Sequence, residues 1–416
     1  MSKSVAVIGG GAVGLCCAYY LAKAGHKVTL LERGGPNHDC CSLGNAGMVV
    51  PSHFEPLAAP GMVGYGMRMM LKRNSPFGFK PSLNPDLIRW GWLFAKSANA
   101  ANVEKGSRLL RDLNMTSRAL YMEMAESSGN AFGLEECGLV MLCATQKTFD
   151  AESKLADHAR SLDLQVRVLD REEVGSLEPT TRLNAVGAVH FLDDCHLNPV
   201  ALVKWLREET KGLDVEHRFN SGVTGAVVEN GKIKALQTPS GDVNAEEYVL
   251  AAGAWSGQVA KHFGFRMPMQ GGKGYSSDLP VSATPKHCFI LVEARIAVTP
   301  IGDKLRFAGT MEIAGDDLSV NPRKHQGILN SIPTYMPDFA PEDFSELGVW
   351  SGLRPCSADG LPYLGRPSHL SNLVAATGHS MMGVSLAPVT GQVVANLVDE
   401  KETGFGIGVL RPDRFG

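Results

Sequence analysis

The chain has 416 residues, 44% hydrophobic and 20% charged, with 40 basic against 43 acidic side chains and a formal charge of −3. That length allows two or three domains and a substantial core, and the balanced charge, without a basic block, argues against nucleic acid as a partner. No run approaches the roughly 20 apolar residues that span a bilayer, and a first strand starting within four residues of Met1 leaves no room for a secretory signal peptide.

Residues 4–33 read SVAVIGGGAVGLCCAYYLAKAGHKVTLLER. Val5, Val7 and Ile8 form an apolar run that stops at three glycines, as a buried parallel strand does on entering a tight turn. Gly9, Gly11 and Gly14 fit G-x-G-x-x-G: the first permits the turn, the second lets backbone approach a pyrophosphate, and the third lets the next helix lie close to the strand. Val13, Cys17, Leu21 and Ala24 recur at helical spacing, and Gly25 suits a left-handed cap. A second strand over 28–31 ends in Glu32, 18 residues past Gly14, where an acidic group receives adenosine ribose hydroxyls. A carboxylate there disfavours NADP and leaves NAD and FAD open.

Residues 34–61 form a long, turn-rich loop, a type that is usually functional inside a domain; Ser42, Gly44, Asn45 and Gly47 offer donors that could clasp a cofactor. Residues 61–102 carry Met62, Met67, Met69 and Met70, then Lys72 and Arg73, then Trp90, Trp92 and Phe94 at helical spacing, which reads first as packing. A polar helix follows over 101–128, ending near Gly129. A strand over 138–143 and a helix over 149–161 come next, and Asn198 with Pro199 starts another helix running to about Lys211. Residues 215–253 read as a β meander with a hairpin turn at Asn230 and Gly231, its last strand ending in Ala251, Ala252, Gly253 and Ala254. Residues 264–341 hold further strand signals of an antiparallel sheet, and 349–366 read as a loop carrying Arg354 between glycine and proline. The chain closes on a second strand, glycine turn and helix: 373–376, then Gly378, His379 and Gly383, then 389–398. The nine cysteines are an odd number with no C-x-x-C pair, which fits a reducing, cytoplasmic setting and no metal site. Cys40 and Cys41 are neighbours, a geometry disulfides rarely accept.

Several stretches, in order, resemble the flavin-dependent amine oxidoreductases of the D-amino acid oxidase, glycine oxidase and sarcosine oxidase family, and within it the bacterial D-amino acid dehydrogenases. They are the N-terminal fingerprint, SLGNAGMVVP, EYVLAAGAWS, GGKGYSSD, LRFAGTMEIAG, GLRPCSADGLPYLG and TGHSMMGVSLAPVTGQVVANL. The resemblance implies an α/β fold with a discontinuous Rossmann-like FAD domain, placed at 1–56, 186–262 and 346–416. An α+β substrate domain on a mainly antiparallel sheet would then comprise 57–185 and 263–345. FAD would be held by Gly9, Gly11, Ala12, Val13, Gly14, Glu32 and Arg33, by Ser42, Asn45, Ala46 and Gly47, by Ala252, Gly253 and Trp255, and by Gly378, Ser380, Met381 and Gly383. Relatives that attach flavin covalently use a His near the NAG loop or a Cys elsewhere; Asn45 stands in this triplet, so noncovalent FAD is expected.

The implied reaction moves hydride from the α-carbon of a neutral D-amino acid, D-proline and hydroxy-D-proline included, to FAD, with the imine released and hydrolysed. Glycine or sarcosine oxidation by oxygen is the alternative. Arg354 is the natural carboxylate anchor, because a guanidinium offers a bidentate fork and keeps its charge when desolvated. Tyr275 resembles a position whose hydroxyl supports that carboxylate, His379 and His53 are candidate pocket residues with Glu55, and Lys273 lies at the flavin edge or in solvent. Electrons would pass to an acceptor such as a quinone, and the insert bearing Lys72 and Arg73 suits peripheral contact with the inner face of the membrane.

Overall fold

The apolar run before the three glycines forms the Ser4–Ile8 strand at the heart of a six-stranded sheet. The computed structural model describes residues 1–70, 77–79, 84–313 and 315–415, so Lys72 and Arg73 lie outside the described residues. The sheet runs Tyr363–Gly365, Leu373–Thr377, Glu247–Leu250, Ser4–Ile8, Lys27–Leu31 and Glu216–Arg218, all parallel except the first. The expected meander is therefore not one. Only Gly225–Glu229 and Lys232–Gln237 form an antiparallel hairpin, with Asn230 and Gly231 at positive φ. Glu247–Leu250 joins the parallel sheet with its apolar Tyr248, Val249 and Leu250 buried on both faces, while the polar Glu216–Arg218 forms the sheet's edge beside Lys27–Leu31.

The Ala12–Lys23 helix ends where Gly25 takes φ +85°. Its buried face meets the Ala387–Val398 helix so closely that a Cβ on Gly391 would lie 2.5 Å from the Cys16 carbonyl oxygen. The two ends of the chain are thus one packed layer, sharing a core with the Pro199–Gly212 helix. Asn198 caps that helix as expected, accepting from the N–H of Val200 and of Ala201 ahead of Pro199. The long polar helix is Ala100–Ser128, closed by Gly129 at φ +63°.

A second sheet has nine strands. Its path is Trp350–Ser357, Met269–Pro280, Lys304–Ile313, Ile296–Ile301, Cys288–Leu291, Leu139–Cys143, Gly187–Phe191 and Val166–Asp170, with Phe77–Phe79 alongside Lys304–Ile313. Its pairings are antiparallel apart from two. The segment read as a loop over 349–366 is instead a strand for its first half, Trp350–Ser357, because Met269–Pro280 supplies a partner ladder that local sequence does not reveal. This strand and Gly187–Phe191 pair into the nine-stranded sheet although the expected division assigns them to the nucleotide unit.

The methionine and tryptophan insert forms the Met62–Met70 and Pro85–Ser97 helices. Trp90 is core, stacked on Phe94 and donating its indole N–H to the Cys356 carbonyl at 3.0 Å. Trp92, Ile88 and Met67 stay exposed. No helix among the described residues is long and apolar enough to cross a membrane.

Candidate active site

Between the two sheets lies a cavity of about 390 Å3 that touches most of the sequence-predicted site residues. At one end is the glycine turn. Gly9 takes φ +113°, and a Cβ there would lie 2.4 Å from the Ala251 carbonyl oxygen; one on Gly14 would lie 1.9 Å from the Gly9 carbonyl oxygen. Strand, turn and helix therefore pack backbone on backbone. Gly11 caps the helix without a side-chain bond, so N–H groups at its positive end are available to an anion in the cavity. Ala12 N–H alone of these is taken by Ser42 Oγ, at 3.0 Å.

Glu32 sits beneath this turn, each carboxylate oxygen accepting one backbone N–H at 2.8 Å, from Gly10 and from Gly34. Oε2 also lies 3.4 Å from His38 Nε2; Oε1, with one N–H partner, keeps a lone pair for a hydroxyl group. Arg33 stacks over Trp255 at 3.5 Å beside Ala252 and Gly253, forming another wall.

The loop over 34–61 is built in rather than draped outside. Gly47, at φ +74°, passes so near the Leu197 carbonyl that a Cβ would approach to 2.1 Å, and Gly44 lies flat against the Trp350 ring. Asn45 Oδ1 accepts the Gly47 N–H at 2.7 Å. Arg306, which sequence reasoning missed, locks the loop: it grips Asp278 with two nitrogens and donates to the carbonyls of Leu43 and Asn45 at 2.7 and 2.8 Å. The loop carries Ala46 into the same cavity wall.

At the other end of the cavity stands Arg354. It is half-buried at the cavity wall, donates to the Thr310 carbonyl at 2.8 Å and makes no ion pair among the described residues. Burial pulls its pKa below the usual guanidinium value, which leaves a charge seeking an anion. Two unusual backbone features accommodate it. Thr310 adopts φ +64° where the Met269–Pro280 and Lys304–Ile313 ladder shifts register, a conformation costly for a β-branched residue. Gly274 faces the guanidinium, and a Cβ there would lie 2.2 Å from Nη1. Beside it Ala308, Ala297 and Ile290 stand in one cross-strand row and line the cavity, so that the floor next to Arg354 is small and apolar.

Tyr275 lines the cavity too, but its hydroxyl is already committed. It donates in a short bond to Glu312 and accepts the Asn321 N–H at 3.0 Å. Lys273 is neither at the cavity nor in solvent: it is buried and held by the Ser319 carbonyl and Asp317. Glu55 is exposed and faces His158.

The C-terminal turn closes the site, with Gly378 at φ +76° and Ser380 at φ +51°. Ser380, Met381 and Gly383 line the cavity ahead of the Ala387–Val398 helix; Gly378 lies against Tyr363 behind them. His379 is 1% exposed, and its Nε2 pairs with Thr390 Oγ1 at 3.0 Å. Burial lowers its pKa to about 4. A histidine held neutral when folded but titrating near 6.5 when unfolded contributes stability that is complete above pH 6.5 and is lost as pH falls towards 4, ~3 kcal/mol for this displacement. The urea midpoint is therefore expected to fall steeply from pH 6.5 to 4, and less steeply in His379→Gln.

Residues 4–397 match the DAO family, described as FAD dependent oxidoreductase. The chain is 30% identical over 400 residues to a D-amino acid dehydrogenase of Helicobacter pylori, covering 95% of each. It is 28% identical to one of Bradyrhizobium diazoefficiens, covering 99% of this chain and 98% of the relative. Among solved structures, glycine oxidase from Geobacillus kaustophilus superposes with a TM-score of 0.80 at 23% identity over 99% of both chains. L-proline dehydrogenase from P. horikoshii gives 0.75 at 18%, over 100% of this chain and 98% of its own. These similarities show the α/β fold with its Rossmann-like FAD-binding part. The residues present fit the cofactor: the bare glycine turn at a helix start, the carboxylate with an open lone pair on Oε1 and the cavity between the sheets are what a dinucleotide requires.

Proposed function

Because the chain belongs to the DAO family of FAD dependent oxidoreductases, we propose that it oxidises a neutral D-amino acid, with cyclic secondary amines such as D-proline and hydroxy-D-proline among its substrates. The observation that carries this reading is Arg354, half-buried at the cavity beside an apolar floor and without an ion-pair partner among the described residues. An unpaired guanidinium partly withdrawn from water is costly unless a ligand supplies the countercharge, and a substrate carboxylate supplies it bidentately. The row of Ala308, Ala297 and Ile290 offers a side chain no polar partner, which favours neutral substrates.

Bound FAD supplies the acceptor of the hydride from the substrate α-carbon. Arg354 holds the carboxylate, the Tyr275 ring walls the pocket, and His53 faces the amine. His379 anchors the C-terminal turn through Thr390, so that Ser380 to Gly383 present backbone to the cofactor with Gly378 behind. Gly9, Gly11, Ala12, Val13 and Gly14 hold the pyrophosphate, Glu32 the ribose, and Arg33 with Trp255 the adenosine end. Noncovalent attachment is the reading, with Asn45 in the NAG triplet where a covalently linking His would stand. The nucleotide unit is discontinuous, its strands coming from the start, middle and end of the chain. The imine leaves and hydrolyses in water. Electrons go on to a quinone-class acceptor, and exposed Ile88 and Trp92, with Lys96 on the same helix face, form a surface suited to peripheral membrane contact.

A panel of D- and L-amino acids, glycine, sarcosine and prolines with a dye acceptor tests the reading; turnover of neutral D-isomers without matching peroxide production in air is expected. Gly274→Ala is expected to push the guanidinium from its seat, raising KM for every carboxylate substrate by tenfold or more, as when a charged contact worth about 1.5–3 kcal/mol is lost, while flavin content stays at the wild-type level. An unchanged KM would remove Arg354 from the anchor role.

A further inference from the structure

His53 reaches the cavity as the end of a buried chain of polar groups whose inner members the reaction described above does not use. Its Nδ1 lies 3.1 Å from Ser52 Oγ, and that hydroxyl lies 2.5 Å from Asp194 Oδ2. Asp194 Oδ1 accepts the Ser52 N–H at 3.0 Å. Asp194 is wholly buried and has no ion pair among the described residues. Arg118, the cation felt at this carboxyl from the Ala100–Ser128 helix, is bonded to Glu136 at 2.7 Å instead. The groups facing Asp194 are otherwise its neighbours Asp193 and Cys195, and Cys288 from the second sheet, whose thiol burial keeps neutral. Arg295 is the charge felt at His53.

The three groups have only two self-consistent arrangements, because a serine hydroxyl has one proton to give. With Asp194 ionised, Ser52 donates to the carboxylate, the imidazole Nδ1–H donates to Ser52, and Nε2 is a bare acceptor. With Asp194 protonated, the carboxyl donates to Ser52, Ser52 donates to Nδ1, and Nε2 carries the hydrogen. We infer that Asp194, acting through Ser52, is a positioning residue that sets the tautomer of His53 and so decides whether its Nε2 accepts from or donates to the substrate amine.

The inference rests on the amino acid reading for its ligand, but not for the relay itself. Only the acceptor form suits an amine that must turn its own lone pair towards the α-carbon, since it takes an amine N–H and leaves that lone pair free. Burial lowers the His53 pKa to about 4, so the ring acts as a neutral hydrogen-bond acceptor and not as a proton store. Burial likewise raises Asp194 to about 8, which places the change of tautomer in the mildly alkaline range.

The test uses 15N-histidine-labelled holoprotein, with the His53 signals assigned by their loss in His53→Gln. Wild type is expected to pass from the Nε2–H to the Nδ1–H tautomer as pH rises through about 8. Asp194→Asn, whose amide N–H donates to Ser52 permanently, stays in the Nε2–H form throughout, and Ser52→Ala uncouples the ring from pH. In turnover, kcat/KM of wild type rises over the same pH range, and Asp194→Asn loses that rise and falls on the order of 10²-fold at alkaline pH. Its affinity for a carboxylate inhibitor without an amine is unchanged, which a merely structural role for Asp194 would not predict. The same tautomer in wild type and Asp194→Asn at every pH overturns the relay. A tautomer switch in a protein that oxidises no amino acid leaves the relay standing and overturns the functional reading instead.

Discussion

Arg354→Ala is expected to lower kcat/KM for D-amino acids by about 10²- to 10³-fold, almost all of it through KM, in a protein that remains yellow. The size follows from losing one member of a desolvated charge pair, roughly 2–5 kcal/mol. The flavin should stay because, among the described residues, the removed side chain bonds only the Thr310 carbonyl and no part of the glycine turn. Arg354→Lys is expected to recover little, since a point charge cannot reproduce the bidentate fork in the space that Gly274 leaves open. Steady-state kinetics alongside flavin absorbance check both; a near-normal KM in the alanine variant would show that the carboxylate is anchored elsewhere.

Gly14→Val carries the other large effect. A Cβ at this position would sit 1.9 Å from the Gly9 carbonyl oxygen, so the helix must lift from the strand and the dinucleotide turn opens. The purified variant is expected to be colourless, with FAD affinity down at least 10²-fold by titration, or not to fold. Gly25→Ala is its control in the same unit. That glycine, unlike Gly14, has positive φ, at +85°, and nothing lies within 4 Å of a Cβ there, so the cost is the left-handed conformation alone, ~1 kcal/mol. It should be less stable and fully yellow. Loss of flavin in Gly25→Ala and not in Gly14→Val would contradict this account of the turn.

The contrast between these glycines also marks what could be read from the sequence. The turn was legible because its chemistry is local: an apolar strand, three glycines and a helix occupy consecutive residues, and Glu32 follows at the next strand end. Helix ends were legible for the same reason, as with Asn198 and Pro199 or with Gly129. Strand partners were not. Glu216–Arg218 and Glu247–Leu250 look like members of a meander until the sheet that receives them is known. Arg354 was picked out by its motif, but the features that seat it, Thr310 in a left-handed conformation and Gly274 leaving space, arise from a ladder shift between distant strands. Arg306 and Asp194 were invisible because each works on a loop far away in the chain, at Leu43 and Asn45 and at Ser52 respectively. Tyr275 shows the opposite case. Its motif placed it at the site, but not the neighbours Glu312 and Asn321 that already occupy its hydroxyl.

The most direct measurement of the central claim is the visible absorbance of the purified protein under anaerobic conditions as amino acids are added one at a time. The account predicts a yellow protein whose flavin bleaches on addition of neutral D-amino acids, D-proline included, and stays oxidised with their L-isomers. It also predicts that Arg354→Ala needs far higher concentrations to bleach. A flavin that stays oxidised with every D-amino acid, or that is reduced by L-isomers alone, would contradict it.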